Sequence, residues 1–142
     1  MTSSTARRAR RGFTLIELVV VVLVMGILAA VAAPKMFDTA SNAKVNTTRQ
    51  SLMVVRDAIE LYKAQNGTYP GQTGSGTALA TDLKPFLKGP FPKAQVPGAT
   101  GDSSVRYVTS GSGVGTVSGV QDWAYNTVDG SFAINVTSYD TY

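Results

Sequence analysis

From Phe13 to Ala33 the chain runs 21 residues with one charge, Glu17, and this stretch decides most of what the polypeptide can become. A helix of that length rises roughly 31 Å at about 1.5 Å per residue, enough to cross the hydrocarbon core of a bilayer. A carboxylate inside such a run costs roughly 2.5–3.5 kcal/mol on insertion scales, so Glu17 reads as a functional group. It follows Phe13 by four residues, one helical turn, which predicts that the two share a face.

Charge sorts along the chain in a way that bears on function. Of the 13 Lys and Arg residues, Arg7, Arg8, Arg10 and Arg11 precede Phe13, and no acidic residue accompanies them. The chain from Phe13 onward therefore carries nine basic and nine acidic residues. The formal charge of +4 belongs to the segment just before the apolar run. Such a segment orients a membrane helix with its basic end in the cytoplasm. It leaves the remainder with no basic excess for phosphates, so no nucleic-acid partner is expected.

Cysteine and histidine are both absent. Disulfides, thiolate metal sites and Cys nucleophiles are excluded, as are a Ser-His-Asp triad and His-based metal sites. No Lys- or carboxylate-based constellation suggests an enzyme. No cofactor and no metal are expected: Asp122, Asp129 and Asp140 are not spaced as the multi-carboxylate set that calcium favours.

The stretch Arg10-Arg11-Gly12-Phe13-Thr14-Leu15-Ile16-Glu17-Leu18, with the apolar run it opens, resembles the N-terminal signature of the type IV pilin and type II secretion pseudopilin superfamily. The resemblance is specific from Arg10 to about Pro34 and loose beyond. It implies a pilin-like α+β fold, with a long N-terminal helix whose membrane-spanning first half is followed by a second half packed on a small antiparallel sheet. It implies cleavage between Gly12 and Phe13 by a prepilin peptidase/methyltransferase and N-methylation of the new terminal Phe13. It also implies that Glu17 is an assembly determinant and that Pro34 bends the helix. The implied partners are an inner-membrane assembly platform, the membrane itself, and other pilin or pseudopilin subunits in a homo- or hetero-polymer. The implied location is the bacterial inner membrane, with the N-terminus cytoplasmic and the head periplasmic, then a fibre in the cell envelope.

Two other readings fit the same residues less well. A secretory signal would use Ala30-Val31-Ala32 as its cleavage site, but the apolar run is too long and carries a charge. A twin-arginine signal would use Arg10-Arg11, but Val19-Val20-Val21-Val22-Leu23-Val24 is more apolar than such signals usually are.

Four segments are expected: a basic leader over 1–12, a transmembrane or fibre-core helix over 13–35, its amphipathic continuation over 36–66, and the loop and sheet part of a head over 67–142. In the continuation, Val45, Thr48, Leu52, Val55, Ile59 and Tyr62 recur at three or four residues, with Val54, Ala58 and Leu61 widening the arc. Arg56 and Glu60 are placed for an i,i+4 pair on a solvated face. Pro34 either kinks this helix or splits it in two. Asn66-Gly67 ends it.

A short helix is expected between Ala78 and Leu87, and a connector through Gly89-Pro90-Phe91-Pro92 and Val96-Pro97-Gly98. Strands are expected at Val105–Thr109, weakly at Val114–Val120, at Trp123–Asn126 and at Ser131–Val136. Asp129-Gly130 makes the last two a hairpin. Trp123 is expected as a core anchor rather than a ligand-binding residue. The function this implies is structural: a subunit of a type II secretion pseudopilus, or alternatively a type IV pilin in a surface fibre, or an exported soluble protein.

Overall fold

The computed structural model describes residues 12–74 and 77–140. The expected leader before Gly12, Ser75 and Gly76 of the loop, and Thr141 and Tyr142 lie outside the described residues. The elements are α1 (Leu15–Asn66), α2 (Ala78–Leu83), β1 (Val105–Val108), β2 (Trp123–Asn126) and β3 (Phe132–Ile134). The chain divides into two units, Met1–Asp38 and Thr39–Tyr142.

α1 contains Pro34 within its 52 residues, so a single helix forms here rather than two. Proline withdraws one donor from the ladder, and Ala32, Ala33 and Lys35 around it are good helix formers. The helix closes at Asn66 because Gly67 adopts φ 77° and donates its N–H to Lys63 O at 2.8 Å. That is the left-handed cap glycine makes at no steric cost.

In the first unit every large apolar side chain from Phe13 to Val31 is exposed, between 45% and 81%. Among the described residues nothing in the chain covers this surface, although α1 is long and apolar enough to cross a membrane. Burying apolar area is the main favourable term in association, so a run bare on all sides is built to meet lipid or other chains.

In the second unit α1 supplies one side of the core. Thr48, Leu52, Val55, Ala58 and Ile59 are buried, as the periodicity predicts, while Val54 and Leu61 stay exposed. Leu52, Val55 and Ile59 join Leu79 and Leu83 of α2 and Trp123, Tyr125, Phe132 and Ile134 of the sheet in one cluster. Trp123 is fully buried, stacks on Phe132 at 5.0 Å and donates Nε1–H to Pro92 O at 3.0 Å. It is the core anchor its size predicts. Leu52→Ala or Ile59→Ala is therefore expected to lower stability by about 2–5 kcal/mol, through lost burial and the cavity left behind. Chemical denaturation of the chain beginning at residue 38 checks this, and unchanged midpoints would contradict the packing.

The sheet corrects one expectation. β2 and β3 form the predicted antiparallel hairpin, with Trp123 opposite Ile134 and Tyr125 opposite Phe132. β1, however, runs parallel to β2, with Val105 beside Trp123 and Val108 beside Asn126. The sheet is mixed, not antiparallel. Ser110–Gly113 does not turn the chain straight back; residues 109–122 return it to the starting end of β1, where Trp123 N–H reaches Ser104 O at 3.2 Å. A parallel pair requires such a crossover. The weak strand expected over Val114–Val120 is also absent, since Gly115 and Gly119 take φ of 69° and 79°, outside the β region.

This crossover lies on the sheet face opposite α1. Arg106, Ala124, Asn126, Ala133 and Asn135 alternate with the core residues and share that second face. Asn126 Nδ2 donates to Gly113 O at 2.7 Å, Asn135 Nδ2 to Ser118 O and Gln121 O at 2.7 Å each, and an Arg106 NH2 group to Val114 O at 2.7 Å. Ala124 and Ala133 are small enough to let the backbone close over them, and both are buried. A glycine-rich segment with little apolar surface is thus held by side-chain amides that satisfy its carbonyls.

Candidate processing and assembly site

The N-terminal residues are placed by how α1 begins. Gly12, Phe13 and Thr14 are exposed and outside the helix, which opens at Leu15. Thr14 is its N-cap and Glu17 its third residue, the Thr-x-x-Glu spacing of a capping box. Glu17 Oε2 accepts from Thr14 N–H at 2.9 Å and from Thr14 Oγ at 2.7 Å. Thr14 Oγ accepts from Glu17 N–H at 3.3 Å. Two donors that a helix start leaves orphaned are therefore satisfied reciprocally.

The structure revises the expected relation of Phe13 and Glu17. Phe13 precedes the helix, so the two do not stand one helical turn apart; Thr14 takes the carboxylate instead. The Thr-x-x-Glu pattern was present in the sequence as the signal for this contact, and the resemblance drew attention to the carboxylate alone. Phe13 is 80% exposed. A Cβ at Gly12 would meet nothing within 4 Å, and no left-handed φ applies there. Packing among the described residues thus makes no demand for glycine at position 12.

Other carboxylates serve the head. Asp122, 2% exposed, accepts from the backbone N–H groups of Thr100, Gly101 and Asp102 at 2.7, 2.8 and 2.9 Å, and from Thr100 Oγ1 at 3.1 Å. It gathers the 100–102 loop much as an anion gathers backbone amides. Asp129 accepts from Gly113 N–H at 2.6 Å and Ser131 N–H at 2.9 Å. The Gly113 contact leads in holding its carboxyl down at about 2. No sequence pattern marked the Asp122 contacts or the Asp129–Gly113 contact, because those partners lie 16 to 22 residues away along the chain. Among the described residues no group of three or more His, Cys, Asp or Glu side chains is arranged to hold a metal.

Arg56, expected on a solvated face, donates Nε–H to Phe132 O at 2.8 Å, a backbone group of the edge strand β3. Lys63 donates to Tyr69 Oη at 2.6 Å and lies 4.0 Å over its ring. These contacts tie α1 to its own head rather than forming a polar site.

Residues 7–33 match the family described as the prokaryotic N-terminal methylation motif. The chain is 41% identical over 64 residues to type II secretion system core protein G of Pseudomonas aeruginosa, covering 45% of each chain. It is 33% identical over 75 residues to the core protein G of Klebsiella michiganensis, covering 53% of each. It is 38% identical over 76 residues to a fimbrial protein of Neisseria meningitidis, covering 53% of this chain and 45% of that one. The chain spans about half the length of the curated relatives it matches. No solved structure matches it significantly. An apolar run open to partners, a capped glutamate at its start and the matched motif make the N-terminal part of the chain similar to type II secretion core protein G and to fimbrial proteins.

Proposed function

We propose that this chain is a structural, non-enzymatic subunit of a type II secretion pseudopilus. The observation that carries the reading is the apolar part of α1, exposed on every side behind a methylation motif. Such a surface is covered by lipid before assembly and by neighbouring subunits after it. In this reading the leader 1–12 stays cytoplasmic, a prepilin peptidase/methyltransferase cuts after Gly12 and methylates Phe13, and an inner-membrane platform feeds the subunit into the polymer. Residues 13–35 form the membrane or fibre-core helix, with a bend at Pro34. Residues 36–66 and 67–142 build a periplasmic head. The similarity to core protein G favours the secretion fibre.

The fimbrial relatives favour a second reading, a type IV pilin in a surface fibre. One deletion separates them. Cells lacking the chain are expected to retain exoproteins in the periplasm while surface fibres persist. Loss of surface fibres with normal secretion would establish the pilin instead. Mass spectrometry of the mature chain is expected to show a methylated N-terminal Phe13 in either case, and a mature start near Ala33 or Pro34 would overturn both.

A further inference from the structure

Two steps in this chain set an amide or carboxyl side chain directly before glycine, the order that closes a succinimide ring: Asn66-Gly67 and Asp129-Gly130. Both occupy turns that need the left-handed conformation, with φ of 77° at each glycine. Glycine suits such turns, and its lack of a Cβ leaves its nitrogen open to the preceding side chain. We propose that Asn66 is a site of spontaneous covalent modification, its side-chain amide lost to attack by the Gly67 nitrogen when the end of α1 frays, and that a clip between Lys63 and Tyr69 governs how often it frays.

The two steps are guarded differently. At Asn66 both reacting groups are tied to the last turn of α1: Gly67 N–H donates to Lys63 O at 2.8 Å, and Asn66 Nδ2 donates to Tyr62 O at 2.9 Å. Ring closure requires the Asn66 backbone to leave its helical ψ, which breaks both bonds. Helix ends open locally at little cost, and both residues are exposed, so water reaches them. At Asp129 the ties run across the head. Its carboxylate accepts from Gly113 N–H at 2.6 Å and Ser131 N–H at 2.9 Å, while Gly130 N–H donates to Asn126 O at 3.0 Å. Freeing it requires the hairpin and the crossover to part. Its carboxyl, held at about 2, also stays an anion, which a nucleophile attacks poorly.

Tyr69 keeps the helix end shut. Lys63 Nζ donates to Tyr69 Oη at 2.6 Å and lies 4.0 Å over the ring. The ring is itself seated on the hairpin turn, since a Cβ at Gly130 would collide with it. The residue whose carbonyl receives Gly67 N–H is thus anchored to the head through its own side chain. When the turn opens, base takes the Gly67 amide proton, the nitrogen bonds to Asn66 Cγ, and the Cγ–Nδ2 bond breaks to release ammonia. Water then opens either imide bond, giving aspartate or isoaspartate. Each product places a carboxylate at the C-terminal end of α1, where the dipole disfavours it, and loses the donor to Tyr62 O. Isoaspartate also lengthens the main chain by a methylene, so the cap does not close in its former register. Because ammonia departs, the change marks copies whose helix end has been open.

The test incubates the full chain in detergent micelles at mildly alkaline pH, folded or in urea, followed by trypsin. Trypsin spares Lys84–Pro85, so residues 64–88 form one fragment with Asn66 as its sole asparagine, and conversion reads as the mass change from amide to acid. Isomerisation of Asp129 is followed by chromatography of the fragment that begins at Tyr107. The folded chain is expected to convert at Asn66 about tenfold more slowly than the chain in urea, because only the frayed fraction reacts, with Asp129 unchanged. Tyr69→Phe keeps the ring and loses the hydroxyl. It is expected to convert about threefold faster than wild type at Asn66 alone, the scale of one hydrogen bond, and Lys63→Met is expected to match it. Equal rates in the folded chain and in urea overturn the proposal, as does an Asn66 that survives folded as long as Asp129. Wild-type rates in both variants remove the clip. A variant that speeds Asn66 and Asp129 together has loosened the whole head, and that outcome also overturns the clip.

Discussion

Gly12→Val is expected to leave the chain as an uncut precursor held in the membrane, with essentially no subunit starting at Phe13. The structure sharpens the reason. Residue 12 is exposed, lies outside α1, and among the described residues a Cβ built there would meet nothing within 4 Å. The described residues therefore place no demand for glycine there, and in the proposed processing the requirement comes from the peptidase. A peptidase site that closes around a bare backbone has no room for a branched side chain. The head, in the other unit, is expected to fold normally in this variant. Mass spectrometry of membrane fractions decides the matter, and normal levels of Phe13-starting protein from Gly12→Val would remove Gly12 from the site.

Glu17→Leu is expected to insert and to be cleaved, yet to fall by more than about tenfold in sheared fibres, at least the 1.4 kcal/mol that one decade represents. Two effects compete on insertion. Removing a carboxylate from the run favours insertion by roughly 2.5–3.5 kcal/mol. Losing the contacts of Glu17 to Thr14 costs less than losing the N-cap itself, about 0.5–2 kcal/mol, because the residue-17 N–H still reaches Thr14 Oγ1. The first is larger, so the monomer remains in the membrane. Assembly has no such compensation. Glu17 is the sole charge of the run from Phe13 to Ala33, and in the proposed fibre it pairs with a neighbour's terminal amine and so sets the axial register. Wild-type incorporation of Glu17→Leu, in cells with no other copy, would show that this carboxylate does not direct assembly.

Much of the architecture could be read before any coordinates. The Leu52, Val55 and Ile59 spacing marked the buried side of α1, Gly67 marked its end, and Asp129-Gly130 marked the β2–β3 hairpin. The Thr14–Glu17 capping box was equally legible, since its donors and acceptor lie three residues apart. The four-residue spacing from Phe13 to Glu17 competes with it only if Phe13 is helical, and the helix begins at Leu15. The direction of β1 was not legible. Val105–Val108 shows the strand character, but the sequence does not reveal which way a strand pairs after the glycine-rich connection over residues 109–122.

By itself the sequence determined the features whose causes are local: the apolar run and its single charge, the basic segment before it, the helical stripe and the hairpin turn. Each depends on contacts within about one turn of helix or one tight turn, so its period is written in neighbouring residues. Tertiary structure alone decided that β1 pairs parallel with β2, that Asn126, Asn135 and Arg106 hold the crossover, and that Asp122 gathers the amides of a loop 20 to 22 residues earlier. Those choices satisfy buried backbone donors and acceptors across long chain separations, and which amide finds which carbonyl follows only once the core of α1 and the sheet has closed.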